Sequence, residues 1–296
     1  MDFNARLDKC IQLVNDALDD YLSIKEGAGS NIYNAMKYSL MAGGKRMRPV
    51  LALAVCELLD GNRTEILPFA CAIEMIHTYS LIHDDLPAMD NDDYRRGVPT
   101  NHKVFGEAMA ILAGDALLNG AFELMLNASL SDDRNADARL RAMRIIAEAA
   151  GADGMIRGQV VDMESEGKKI DKDMLEYMHR CKTGALIKAP VTASAVLCGA
   201  SGKDIEKLDS YADNIGLAFQ IKDDIMDVKG DPVQMGKAAG SDAASGKSTY
   251  VTLYGIENAQ AMLDKTIDTA LGALEGFGDK AGFLRELAKF IRDRDH

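Results

Sequence analysis

What most constrains this chain is the spacing of its apolar residues. From about residue 31 to residue 292 they return every three or four positions, and stretches that alternate apolar with polar are nearly absent. A strand with one buried face needs that alternation. The chain must therefore build its interior from packed helices. The residue inventory agrees: there is no Trp and only 6 Pro in 296 residues, while Ala, Leu and Met abound.

The pattern breaks at glycines and polar clusters. Residues 31–41 form an amphipathic stretch stopped by Gly43-Gly44. Residues 49–59 (PVLALAVCELL) and 67–85 are apolar almost all round and predict buried helices. Residues 107–127 are rich in Ala and Gly, which suits close helix–helix approach. Further helices are expected over 139–159, 172–199, 205–228, 250–275 and 280–292, with long polar loops over 90–103 and 229–248. No linker, low-complexity segment or short repeat divides the chain. The expectation is one all-α domain, residues 1–296, a bundle of about ten helices.

Composition bounds the function. With 47% hydrophobic and 27% charged residues the chain is ordinary globular material. A net charge of −12 argues against nucleic-acid partners, and an anionic ligand would need a local basic site or metal ions. The start, MDFNARLDKC, lacks an apolar signal core, and no run of 18 apolar residues follows, so neither a signal peptide nor a membrane span is expected. Cys10, Cys56, Cys71, Cys181 and Cys198 have no CxxC spacing. They are expected to be reduced thiols of a cytoplasmic protein, with no disulfide or zinc.

The chemistry concentrates in a few short stretches. SLIHDDLPAMDNDDYRRG (residues 80–97) crowds Asp84, Asp85, Asp90, Asp92 and Asp93 together, and the carboxylates repel unless a positive partner sits among them. An ideal helix would turn Asp90 about 240° away from Asp84, but Pro87 breaks the helix and a bend can bring Asp90 back. In the second cluster, Asp223-Asp224-Ile225-Met226-Asp227, the first and last carboxylates lie about 40° apart on one helix face. Hard oxygen ligands in this arrangement suit Mg²⁺, which takes one or two carboxylates plus phosphate oxygens and water. Two such clusters on separate apolar helices suggest one shared cavity, holding Mg²⁺ and through it a diphosphate.

Basic residues complete the pattern. Gly43-Gly44-Lys45-Arg46-Met47-Arg48-Pro49 is a turn followed by a helix start, which offers free backbone N–H groups. Lys45 and Arg48 can face one way, and Arg48 and Arg96 can each grip phosphate oxygens. His77 lies two turns before Asp84, and Gln220 three residues before Asp223. Lys182-Thr183-Gly184 interrupts a helix with a glycine, which can expose carbonyls to a developing cation. Lys237 and Lys247 lie in the polar loop after the second cluster, where they can close over phosphates. Neither GGKRMRP nor Ser245-Gly246-Lys247-Ser248 is a Walker A loop.

The ordered set GGKRMRP, HTYSLIHDDLPAMDNDDYRRG, GQVVD (158–162), KTG, FQIKDDIMD and GKSTY resembles the trans-prenyltransferases, the short-chain isoprenyl diphosphate synthases, over roughly residues 30–255. The bacterial farnesyl diphosphate synthases are the most similar branch, since they too carry two extra residues in the first motif. The resemblance implies an all-α bundle around a deep central cavity, and a homodimer. It implies that Asp84, Asp85, Asp90 and Asp223 bind three Mg²⁺, with Asp224 and Asp227 completing the second motif. Arg95, Lys182, Lys237 and Lys247 then face the allylic diphosphate. Lys45, Arg48, His77 and Arg96 face isopentenyl diphosphate, and Thr183 and Gln220 lie beside the allylic cation.

The implied reaction is ionisation, condensation and elimination, with the departed diphosphate as base. Product length should follow cavity depth. Tyr79 lies about 7.5 Å along the helix before Asp84 and resembles the aromatic floor of C15-forming enzymes, with the small Ser80 beside it. Asn91, where C15 enzymes often have Asp, keeps a geranylgeranyl (C20) product as the alternative. A class I terpene cyclase would need an NSE/DTE-type second motif in place of DDIMD. A non-catalytic synthase subunit would tend to lack aspartates or arginines that this chain retains.

Overall fold

The structure is a computed structural model that describes residues 2–23, 25–130, 135–229 and 248–294. Among these the fold is all-α apart from one small hairpin. Helices α1 (Phe3–Tyr21), α2 (Asn31–Leu40), α3 (Met47–Leu58), α4 (Arg63–Asp84), α5 (Asn101–Phe105) and α6 (Glu107–Leu130) come first. Then follow α7 (Ala136–Ala150), α8 (Met155–Ser165), α9 (Lys172–His179), a π-helical turn (Arg180–Gly184) and α10 (Ala185–Leu197). Helices α11 (Gly202–Lys229), α12 (Tyr250–Tyr254), α13 (Ile256–Ala273) and α14 (Gly282–Asp293) complete the order. The apolar stripe of α1, Leu7, Val14 and Leu18, is thin within a polar segment, so apolar periodicity alone does not reveal this helix.

Two apolar clusters form the core and share α3 and α10. One gathers α1, α2, α6 and α7 around α4, and the other gathers α13 and α14 around α11. Helix α4 is apolar on nearly every side and buries Ile66, Phe69, Ile73, Ile76 and Ile82. At about 1.5–3 kcal/mol for each buried side chain, these five contribute on the order of 10 kcal/mol before the entropy of ordering is counted. Each acidic cluster lies at the C-terminal end of the helix its lobe is built around.

Two expected helices are broken. The stretch 139–159 becomes α7 and α8, parted at Gly151–Gly154, where a Cβ on Gly154 would lie 2.2 Å from the Ala149 carbonyl oxygen. The stretch 250–275 becomes α12 and α13, parted by Gly255 at φ +77°. Apolar periodicity runs on through both breaks, which is why it failed to show them. All five cysteines are free thiols.

The loop 90–103 contains a hairpin, β1 (Tyr94–Arg95) against β2 (Val98–Pro99), antiparallel with Arg95 opposite Val98. Its two turn residues, Arg96 and Gly97, have φ +54° and +78°, the primed turn that matches strand twist. The hairpin is pinned to α2: Tyr38 donates to the Pro99 carbonyl (2.8 Å) and Asn101 to the Ala35 carbonyl (2.8 Å).

Candidate active site

The first acidic cluster begins where α4 ends, at Asp84. Pro87 sits in the turns that follow, and the Asp90 N–H donates to the Asp84 carbonyl at 2.8 Å. The chain folds back as the spacing required. Burial raises the Asp84 carboxyl to about 6; Lys182 opposes the shift, while Asp90 and Asp85 add to it by repulsion. Among the described residues Asp84 and Asp90 form no ion pair, whereas Asp85, Asp92 and Asp93 do.

Asp85 is buried and has a partner. Both Arg95 Nη2 (2.6 Å) and Nε (2.7 Å) reach its Oδ1, and Arg95 also contacts Asp92 at 3.2 Å. Arg95 therefore neutralises aspartates in this structure. The primed turn points Arg96 the other way, where it donates to the Gly43 carbonyl.

There a cationic pocket of about 250 Å³ forms, lined by Lys45, Arg48, His77, Arg96 and Arg294. All four residues expected to face isopentenyl diphosphate meet here. Gly44 is needed because its φ of +113° strains any side chain, and it lets the Arg96 guanidinium approach its Cα closely. Arg46 is not a pocket cation in effect. It takes the left-handed conformation at φ +48° and is wholly buried, with its guanidinium on Glu74 (2.8 Å), Asn15 (2.9 Å) and the Leu40 carbonyl (2.6 Å). That anchor aims Lys45 and Arg48 on either side of it. Burial, together with the neighbouring Arg294, lowers the Lys45 amine to about 8. Burial also lowers Arg48 to about 10 and holds His77 well below its ordinary value. The Arg48 Nε is buried without a partner. Cations crowded and desolvated in this way are the electrostatic mould of an anion.

The second cluster divides its labour. Asp223 keeps a half-exposed carboxylate and accepts from Arg294 Nη2 at 2.6 Å. Asp224 is buried; it accepts from the Tyr250 N–H (2.7 Å) and from Gln220 (3.2 Å), so it ties α11 to the start of α12. Asp227 is also buried. Thr183 donates to Gln220 at 3.1 Å, so this expected pair does meet.

The expected interruption at Lys182-Thr183-Gly184 is a single π turn, a distortion often found at functional sites. Its Lys182 reaches Asp162 at 2.6 Å. The glycine of GQVVD has a direct reason: a Cβ on Gly158 would lie 2.1 Å from the Lys182 nitrogen. Lys237 and Lys247 lie outside the described residues.

Behind Asp84 opens an apolar cavity of about 490 Å³, walled by Tyr79, Leu118, Met155, Val160, Met163 and Leu186. Tyr79 is buried and meets His83 edge-on at 5.7 Å between ring centres. His83 in turn fills the notch left by Gly114, where a Cβ would lie 2.1 Å from its Nε2. Ser80 is half-buried in the same wall. Sequence reasoning found the α4 side of this cavity and missed the α8 side, since nothing in a local pattern says which helices face each other.

Among the described residues no three of His, Cys, Asp or Glu close into a metal cage. The donor set still fits Mg²⁺, which typically takes one or two protein carboxylates and completes its octahedron with phosphate oxygens and water. Asp84 with Asp90, without an ion pair among the described residues, and the half-exposed Asp223 are carboxylates of that kind.

The sequence matches the polyprenyl synthetase family over residues 30–281. It is 48% identical to a farnesyl diphosphate synthase of Geobacillus stearothermophilus, covering 96% of this chain and 95% of that one. It is 46% identical to the large subunit 1 of a chloroplastic heterodimeric geranylgeranyl pyrophosphate synthase of Arabidopsis thaliana, covering 100% and 80%. The fold superposes on the apo structure of an FPP/GFPP synthase from Zymomonas mobilis with a TM-score of 0.86, at 35% identity and 98% coverage of both chains.

Proposed function

This chain belongs to the polyprenyl synthetase family and is a prenyltransferase, and from that premise we propose that it joins isopentenyl diphosphate to dimethylallyl and then geranyl diphosphate, ending at farnesyl diphosphate. The observation that carries the reading is the adjacency of three environments: a cationic pocket, the half-buried carboxylate of Asp84, and a largely apolar cavity.

Lys45, Arg48, His77 and Arg96 hold the isopentenyl diphosphate group, with His77 neutral at pH 7. Lys182 and Arg95 serve the allylic diphosphate, which gives each a second anion besides Asp162 and Asp85. Asp84, Asp85, Asp90 and Asp223 would hold Mg²⁺, three ions in the full complex, with Asp224 and Asp227 behind them. Those ions would neutralise the leaving diphosphate and lower the barrier to C–O ionisation. Thr183 and Gln220 orient their oxygens beside the allylic carbon, where positive charge develops. Leu118, Met155 and Leu186 keep water from the cation. The proton lost at the end goes to the departed diphosphate.

Tyr79 in the cavity wall supports a C15 limit. The Arabidopsis relative and Asn91 support the alternative, a C20 product. Incubating the enzyme with labelled isopentenyl diphosphate and each allylic starter, followed by chromatography, tests both. The expected product is C15, abolished by EDTA and restored by Mg²⁺. Tyr79→Ala is expected to lengthen it by at least one unit; an unchanged distribution would locate the floor elsewhere.

A homodimer fits α6. This helix and α4 are the two among the described residues long and apolar enough to cross a membrane. Helix α4 is 67% buried inside the protein over that window, whereas α6 is only 33% buried. The exposed Ile111, Leu112, Leu126 and Leu130 of α6 fall within about 100° of one face, which a second copy would cover. Five free thiols are consistent with a cytoplasmic location.

A further inference from the structure

Arg294 stands where the second acidic cluster meets the cationic pocket. It follows α14, yet its side chain is only 4% exposed. One nitrogen, Nη2, donates to Asp223 Oδ1 (2.6 Å) and to the Phe219 carbonyl (3.0 Å). The guanidinium carbon lies 3.9 Å from the centre of the Phe219 ring. Its Nε is buried without a partner, and the residue lines the same cavity as Lys45, Arg48 and Arg96.

Each contact has a consequence. Asp223 in this state already has a counter-charge, so a divalent cation arriving there competes with the guanidinium for one carboxylate. Nearby, Arg294 adds repulsion to the crowded Lys45. An anion entering the pocket would relieve that repulsion and would offer the orphaned Nε an acceptor. The two demands act together. Drawing Arg294 toward the pocket frees Asp223, and filling Asp223 with a cation releases Arg294.

We propose that Arg294 is a positioning residue that couples the two half-sites, held on Asp223 while both are empty and shared with the anion in the cationic pocket once that pocket fills. The coupling is reciprocal, so occupancy of either half-site raises the affinity of the other. It rests on the reading that the pocket takes isopentenyl diphosphate.

The test needs neither metal nor turnover. Isopentenyl diphosphate is titrated calorimetrically, in EDTA, into the full chain, into Asp223→Asn, into Arg294→Gln and into the double variant, each checked for native helicity. Asp223→Asn is expected to bind on the order of tenfold tighter, the worth of one charge-assisted hydrogen bond. That gain is expected to vanish when Arg294→Gln is added, and to survive in part with Arg294→Lys. An equal gain with and without Arg294 overturns the coupling and leaves the functional reading standing. Failure of the unaltered chain to bind isopentenyl diphosphate overturns the functional reading, and the coupling with it. As a second readout, Mn²⁺ binding without diphosphate, followed by electron paramagnetic resonance, is expected to tighten several-fold in Arg294→Gln. An unchanged affinity counts against the proposal.

Discussion

Glu74 and Arg46 bury one charge pair at the base of the cationic pocket, with side-chain exposures of 2% and 1%. Removing one partner of such a pair leaves the other uncompensated, at about 3–5 kcal/mol. Glu74→Ala is expected to lose that much in urea unfolding, and Glu74→Gln less, since the amide oxygen still accepts from the guanidinium. His179 supplies a second test at this scale. Its imidazole is buried against Tyr250 (ring centres 5.7 Å apart), and burial lowers it to about 4. The unfolded chain takes up this proton near pH 6.5, whereas the folded chain holds it off until about pH 4. A depressed folded value means stability present above the unfolded pKa and lost as pH falls through that window, about 3 kcal/mol in all. Urea unfolding at several pH values checks this; His179→Gln is expected to flatten the slope between about pH 6.5 and 4. A single letter shows none of this. In the string GGKRMRP three basic side chains look alike, and only the ion pair with Glu74 separates the anchor Arg46 from Lys45 and Arg48.

At the level of the element, the helices were legible because a long apolar face leaves few alternatives. The break after Asp84 was legible as well, because Pro87 makes a continuous helix costly. Other departures depend on contact between elements. The π turn at Lys182 lies against Gly158 of α8, and the glycine is there because the two backbones nearly touch. Gly158→Ala is expected to push the turn aside and to lower turnover about a hundredfold, the scale of an ångström misplacement of a catalytic group. The comparison of kcat with the circular dichroism spectrum checks it, since the helical content should not change. The hairpin is a further case: Arg96 in a left-handed turn costs about 1 kcal/mol, and no propensity would have put an arginine there.

Across the whole molecule, α6 carries an apolar stripe that nothing within the described chain covers. Leu112 is 55% exposed on it. Leu112→Glu is expected to turn a dimer into a monomer in light scattering coupled to gel filtration, with little change in the circular dichroism spectrum. The sequence by itself determined the all-helical architecture and the identity of both acidic clusters. Helical periodicity and carboxylate spacing are local properties, readable within a few turns of one strand of text. Only the tertiary structure decided which charges meet: Arg95 on Asp85, Arg46 on Glu74, and Arg294 on Asp223 across 71 residues of chain. The reason is physical. Helices pack through apolar faces that are nearly interchangeable in text, so the contacts between them, and the charges those contacts bring together, exist only once the bundle has closed.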